Sequence, residues 1–221
     1  MKLVVPTITA KDSHQFRAQT DLIASISDFS HIDLADPDFN SAEGLLEFTQ
    51  AYLEPVLTSS VHIMYQNPLE AVKHFLGLPE SPRMIILQAE SEDKQLLEAI
   101  KLVKDSPSLL GIALLQSSQP EEYSQIIAMA DQALIFSGEL GKHGGTADLT
   151  LLNKVPDLRK IKKDIEIAWD GGINSSNISE LAKGGIDIFY VGGEIHKSHD
   201  PYLKLRELQE IVDSTISTEQ S

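Results

Sequence analysis

Residues 83–116 read RMIILQAESEDKQLLEAIKLVKDSPSLLGIALLQ, and they spell one complete strand–helix–strand unit. Arg83–Glu90 and Leu109–Gln116 are short apolar runs of strand length. Between them Leu96, Ala99, Ile100 and Val103 recur at helical spacing. A strand, a helix and a second strand in this order make a right-handed crossover between parallel strands. The same alternation extends in both directions. Leu3–Ile8, Ser30–Asp36 and Ser59–Tyr65 are the strands expected upstream, and Gln132–Gly138, Ile165–Gly171 and Ile186–Gly192 those expected downstream. Helix punctuation separates them: Asn67-Pro68 and Asp200-Pro201 read as an N-cap followed by a first-turn proline, and Ile178, Leu181 and Ala182 precede a Gly184-Gly185 stop.

Eight strands at about 27 residues per repeat predict a single-domain α/β fold, the (β/α)8 or TIM barrel, over residues 1–213. The polar tail Ser214–Ser221 is expected to fray. A doubly wound open sheet would place a glycine-rich turn after the first strand, and Thr7-Ile8-Thr9-Ala10 has none.

The 221 residues carry 18 Lys and Arg against 33 Asp and Glu, a net charge of −15. With no run of Lys or Arg, nucleic acid is excluded as an expected partner. No apolar stretch approaches the ~20 residues of a membrane span, and the start, MKLVVPTITAKD, reads as a strand rather than a secretory signal, so a cytoplasmic location with no membrane partner is expected. Zero cysteines rule out disulfides and thiolate chemistry. An anionic substrate would need local help from a metal, a helix N-terminus or backbone amides.

In barrels of this kind the site lies where the strands end. His31 and Asp33 stand two apart on the second strand and share a face, with Ile32 and Leu34 on the other. His62 sits between Val61 and Ile63 on the third strand, and Asp170 closes the seventh. Buried carboxylates and imidazoles must be paired or coordinated. Two imidazoles and two carboxylates suit one divalent metal: Zn, Fe, Mn or Co. A strand histidine is also commonly a hydrogen-bonded core residue, and an aspartate before Gly-Gly commonly caps a turn, so spacing alone leaves both readings open.

Six motifs, in order along the chain, resemble those of the ribulose-phosphate 3-epimerase family. His31-Ile32-Asp33-Leu34-Ala35-Asp36 is similar to that family's HIDxMDG, and Val61-His62-Ile63-Met64 with Asn67-Pro68 to its VHLM…NP. Ile85–Glu90 resembles ITFHAE, and Gly111–Leu114 followed by Pro120 resembles GLALNPxTP. Asp170-Gly171-Gly172-Ile173 matches DGGI, and Val191-Gly192-Gly193 stands where VAGS would be. The resemblance implies a metal-dependent sugar-phosphate epimerase, most simply one interconverting D-ribulose 5-phosphate and D-xylulose 5-phosphate. It implies His31, Asp33, His62 and Asp170 as metal ligands, with Asp33 and Asp170 as the catalytic acid/base pair that works through a metal-stabilised enediolate. It further implies Gly144, Gly145, Gly171, Gly172, Gly192 and Gly193 as phosphate-binding positions, Met64 and Gln88 as substrate lining, and a homo-oligomer.

The departures from the family pattern are specific. Gln88 replaces the histidine of HAE, Ala35 the methionine and Pro37 the glycine of HIDxMDG. The VNPGFGGQ region reads Ser137-Gly138-Glu139-Leu140-Gly141-Lys142-His143-Gly144-Gly145-Thr146, and Glu194 stands at the serine of AGS. A carboxylate there repels phosphate unless Lys142 or another cation neutralises it or Glu194 turns outward. Two alternatives therefore stand beside the leading one: an epimerase or isomerase for another ketose or ketose phosphate, or a barrel that binds a metabolite or partner without turnover. The Asp-x-Lys-x-x-Asp signature of the related decarboxylases and hexulose-phosphate synthases is missing, since Asp33-Leu34-Ala35-Asp36 has no lysine between its acids. His196 and His199 read as inert loop residues, Trp169 as packing outward, and Glu207 and Glu210 as a solvated helix face.

Overall fold

The structure is a computed structural model and describes residues 2–37, 39, 45–138 and 146–219. All eight expected strands form: β1 (Leu3–Ile8), β2 (Phe29–Ala35), β3 (Thr58–Met64), β4 (Met84–Gln88), β5 (Leu109–Leu114), β6 (Gln132–Phe136), β7 (Glu166–Asp170) and β8 (Ile188–Val191). They pair in parallel in chain order, and β1 closes the barrel on β8 from Leu3↔Ile188 to Pro6↔Val191. Both faces of each strand are covered, so their apolar residues divide into two sets. Ile32, Leu34, Val61, Ile63, Ile85 and Trp169 join the shell between strands and helices, as expected for Trp169. Val5, Met84, Ile86, Ala113, Leu134 and Ala168 fill the lumen. Gly111 is needed there, because a Cβ on it would stand 2.6 Å from Ile86 Cγ1.

The helices obey ordinary capping chemistry. α1 (Ser13–Ile26) starts at Asp12, whose carboxylate accepts the Gln15 amide at 2.8 Å, and buries Phe16, Thr20 and Ile23 along one stripe. α2 (Leu69–Leu76) begins one residue later than the Asn67-Pro68 reading: Pro68 takes the boundary position, its carbonyl accepts the Val72 amide at 3.0 Å, and no side chain caps the helix. α3 (Asp93–Lys104) buries the expected Leu96, Ala99, Ile100 and Val103. α4 (Ser124–Met129), α5 (Lys154–Ile161) and α6 (Ile178–Lys183) follow, with Gly184 ending α6. A four-residue α7 (Gly193–His196) comes after β8, and α8 (Pro201–Glu219) is capped by Asp200, which accepts the Leu203 amide at 3.0 Å. Between β2 and β3 the described residues contain only a 3-10 turn, Phe48–Gln50. Among the described residues no helix is long and apolar enough to cross a membrane.

Candidate metal centre and active site

Strand register assembles the site. Thr7 pairs with His31 and His31 with Ser60, and two residues further along Asp33 pairs with His62, so residues far apart in sequence meet in the lumen. Asp170 joins them as the last residue of β7. One donor atom from each of His31, Asp33, His62 and Asp170 lies within 4.8 Å of every other. The two imidazoles are fully buried, Asp33 is 6% exposed and Asp170 7%.

Each of these side chains is held by neighbours. His31 Nδ1 lies 2.9 Å from Ser60 Oγ, and that hydroxyl donates to the Ser30 carbonyl at 3.4 Å. A hydroxyl that donates to a carbonyl accepts from the imidazole, which puts the His31 proton on Nδ1. Nε2 is then a bare lone pair, buried with no hydrogen-bond partner and 3.2 Å from Asp33 Oδ1. Beneath His31 the Tyr190 ring is stacked at 3.7 Å between centroids, 21° from parallel. Tyr190 donates to Gln132 Oε1 at 3.0 Å, and Gln132 donates to Glu166 at 2.6 Å. His62 Nδ1 lies 3.3 Å from Asp33 Oδ1, and Phe136 meets its ring edge-on at 5.8 Å. Thr9 Oγ1 donates to Asp33 Oδ2 at 3.0 Å.

The electrostatics set the two aspartates apart. Burial pushes the Asp170 carboxyl well above the ordinary carboxylate range, the Asp33 charge adds to the rise, and the Gly171 amide opposes it. Burial also acts to raise Asp33, but when the imidazoles of His31 and His62 take up a proton toward it, the charge and hydrogen bonding of His31 and then His62 outweigh burial and hold Asp33 below its ordinary value. Burial lowers the His31 imidazole. Two carboxylates facing an unpartnered imidazole nitrogen in a dry lumen lack a positive charge at their centre. A divalent cation is the group this donor set fits.

The remaining expected positions fall into three groups. Met64 packs with Ala35, Leu45 and Phe136 in an apolar cluster at the strand ends, and Gln88 is fully buried 3.0 Å from His62 Nε2. Gly171 and Gly172 form the turn after β7 with φ of +103° and +72°, and side chains there would collide with the Gly138 and Ala147 backbones. Gly192 and Gly193 bound the start of α7. Gly144 and Gly145, with Glu139, Lys142 and His143, lie outside the described residues. Glu194 is 3.6 Å from Lys204, which also binds Glu207 at 2.8 Å, while the Ser175 hydroxyl donates to Glu207 at 2.7 Å and lies 3.4 Å from Glu194. Among the described residues the cation beside Glu194 is thus Lys204, shared with Glu207. His196 is no loop residue: it ends α7, and its Nε2 donates to the Thr7 carbonyl at 2.7 Å. Thr9, Ser60, Phe136 and Tyr190 carry no motif in sequence; Ser60, Phe136 and Tyr190 lie on β3, β6 and β8, and Thr9 follows β1.

Comparison with known proteins agrees with this arrangement. The sequence model of the Ribulose-phosphate 3 epimerase family matches residues 3–196. The ribulose-phosphate 3-epimerase of Helicobacter pylori (strain J99) is 28% identical over 218 residues, covering 94% of this chain and 97% of that protein. Its counterpart in Mycobacterium leprae is 26% identical, with 90% of each chain covered. Among solved structures, 3-keto-L-gulonate-6-phosphate decarboxylase from Vibrio cholerae superposes with a TM-score of 0.71 at 15% identity, covering 97% of this chain and 99% of that one. 3-hexulose-6-phosphate synthase from Salmonella typhimurium gives 0.68 at 16%, covering 97% and 100%. At such identities these likenesses show the fold alone.

Proposed function

The chain belongs to the ribulose-phosphate 3 epimerase family, and from that premise we propose that it inverts a carbon beside the ketone of a ketose phosphate, D-ribulose 5-phosphate to D-xylulose 5-phosphate being the simplest case. The observation that carries the reading is the convergence of His31, Asp33, His62 and Asp170 in the lumen. Asp33 and Asp170 come from β2 and β7, so a carbon between them has one carboxylate on each side. One removes the proton from the first face, and the other delivers a proton to the second face, which inverts the centre. In the reverse direction the two exchange roles. His31, Asp33, His62 and Asp170 would hold a divalent cation, which would supply positive charge to offset the negative charge that the ketone oxygen gains when the neighbouring carbon loses its proton. Ser60, Tyr190 and Thr9 fix the imidazole and carboxylate orientations, and the cluster of Ala35, Leu45, Met64 and Phe136 excludes water above them. Gly172, Gly192 and Gly193 offer backbone amides to the substrate phosphate at the end of the barrel where β7 and β8 finish, while the Gly171 amide is turned to the Asp170 carboxyl.

Purified protein supplied with D-ribulose 5-phosphate is expected to form D-xylulose 5-phosphate, to stop after metal chelation and to resume when divalent metal returns. Full turnover by Asp170→Asn would refute the assignment. A second reading, a ketose other than ribulose 5-phosphate, is favoured by the two carboxylates, Glu194 and Glu207, that share the single ammonium of Lys204. A panel of phosphorylated and free ketoses separates the two.

A further inference from the structure

We propose that Gln88, itself oriented by Glu90, is a positioning residue that sets which nitrogen of His62 is free to bind metal. The inference rests on the metal-site reading above and adds a residue to it. Gln88 Nε2 donates to Glu90 Oε2 at 3.2 Å, so the amide nitrogen faces the carboxylate and the amide oxygen faces the other way. That oxygen, Oε1, lies 3.0 Å from His62 Nε2. An amide oxygen only accepts, so His62 carries its proton on Nε2 and presents the Nδ1 lone pair to Asp33 Oδ1, 3.3 Å away. A lone pair facing a carboxylate is poor pairing for an empty site and good pairing for a cation between the two. The opposite tautomer would donate Nδ1–H to Asp33 and consume the lone pair.

Glu90 is anchored in turn. It accepts the Leu115 amide at 2.9 Å and the Ser118 hydroxyl, while Lys154 Nζ donates to the carbonyls of the same two residues at 2.6 and 2.8 Å. The segment after β5 is therefore clamped from both sides, and Glu90 has no freedom to release Gln88. Gln88 is fully buried, which leaves no water to substitute for its oxygen. The relay also accounts for the departure at this position. A histidine there would donate one N–H to Glu90 and accept from His62 with the other nitrogen, the same pattern of donor and acceptor that glutamine provides.

Three forms, the wild type, Gln88→Met and Gln88→His, are stripped of metal and titrated with Co2+ against a competing chelator while visible absorption is recorded. Gln88→Met, close in volume but without an acceptor, is expected to bind Co2+ about 10–100-fold more weakly with an altered spectrum. Gln88→His is expected to restore both the affinity and the spectrum. Equal binding and equal spectra in wild type and Gln88→Met overturn the proposal while leaving the metal site intact. A wild type that binds no Co2+ overturns both. Should Gln88→Met fail to fold, the imidazole nitrogen spectrum of metal-free wild type decides: His62 protonated on Nε2 supports the relay, and His62 protonated on Nδ1 overturns it.

Discussion

Asp170→Asn separates the cost of building this site from its use. In the metal-free protein Asp170 is buried beside Asp33, and burial followed by the Asp33 charge raises its carboxyl well above the ordinary value of 3.8. A group whose pKa is raised on folding contributes its full stability below the unfolded value and loses it as pH rises through the folded one. Above that point the folded protein holds two adjacent buried charges, and asparagine removes one while keeping an oxygen for the Gly171 amide. Relief of a strained functional charge is worth about 1 kcal/mol, or about 2–4 °C in Tm for a chain of this size. Thermal melts in chelator at pH 8 should therefore place Asp170→Asn above the wild type, with the gap closing towards pH 4. Metal reverses the order. At 100 times its Kd the cation stabilises the wild type by about 2.7 kcal/mol, about 5–11 °C, and the variant, short of one ligand, gains little. The reasoning fails if the chelated variant melts at or below the wild type at pH 8, or if metal raises both equally.

Asp33 is expected to behave with the opposite sign. Its carboxyl is held below the ordinary value, so its contribution is complete above the unfolded pKa and is lost as pH falls through the folded one; the stability advantage of wild type over Asp33→Asn in urea melts should shrink on acidification below about pH 4. Gly172→Ala should cost about 1–3 kcal/mol, because φ is +72° and the new Cβ meets the Ala147 backbone; an unchanged urea midpoint would show that the turn can relax. Glu194→Ser should lower KM for a phosphorylated ketose severalfold with kcat nearly unchanged, and an unaltered KM would place the phosphate away from α7. Tyr190→Leu should keep the barrel folded but broaden the ligand field of bound Co2+, since the stack under His31 is lost; a spectrum identical to the wild type would remove Tyr190 from the list of orienting groups.

The eight strands were legible because short runs rich in apolar residues recur between helical patterns and polar punctuation, and inward parity put His31, Asp33, His62 and Asp170 in one lumen. Strand ends were less legible. Glu90 was read as part of a strand, yet it lies past Gln88 at the end of β4, where its carboxylate serves Leu115 and Ser118. The partners that orient the ligands were hidden because they depend on register: nothing local to Ser60 or Gln88 announces a histidine on the neighbouring strand. Lys204 was hidden for another reason. Beside Glu207, three residues on, it looks like any solvated helix pair, and its link to Glu194 exists only because α8 packs against α7. The missing α-helix among the described residues between β2 and β3 had no sequence signal, since strand spacing there is ordinary for the fold.

The most direct test of the account is proton exchange. The metal-loaded protein, incubated with D-ribulose 5-phosphate in D2O and followed by NMR, is predicted to yield D-xylulose 5-phosphate carrying solvent deuterium at C3, with C1 and C4 unlabelled. Deuterium at C1 or C4 instead, or no exchange into either ketose, would contradict a two-aspartate epimerase built on Asp33 and Asp170.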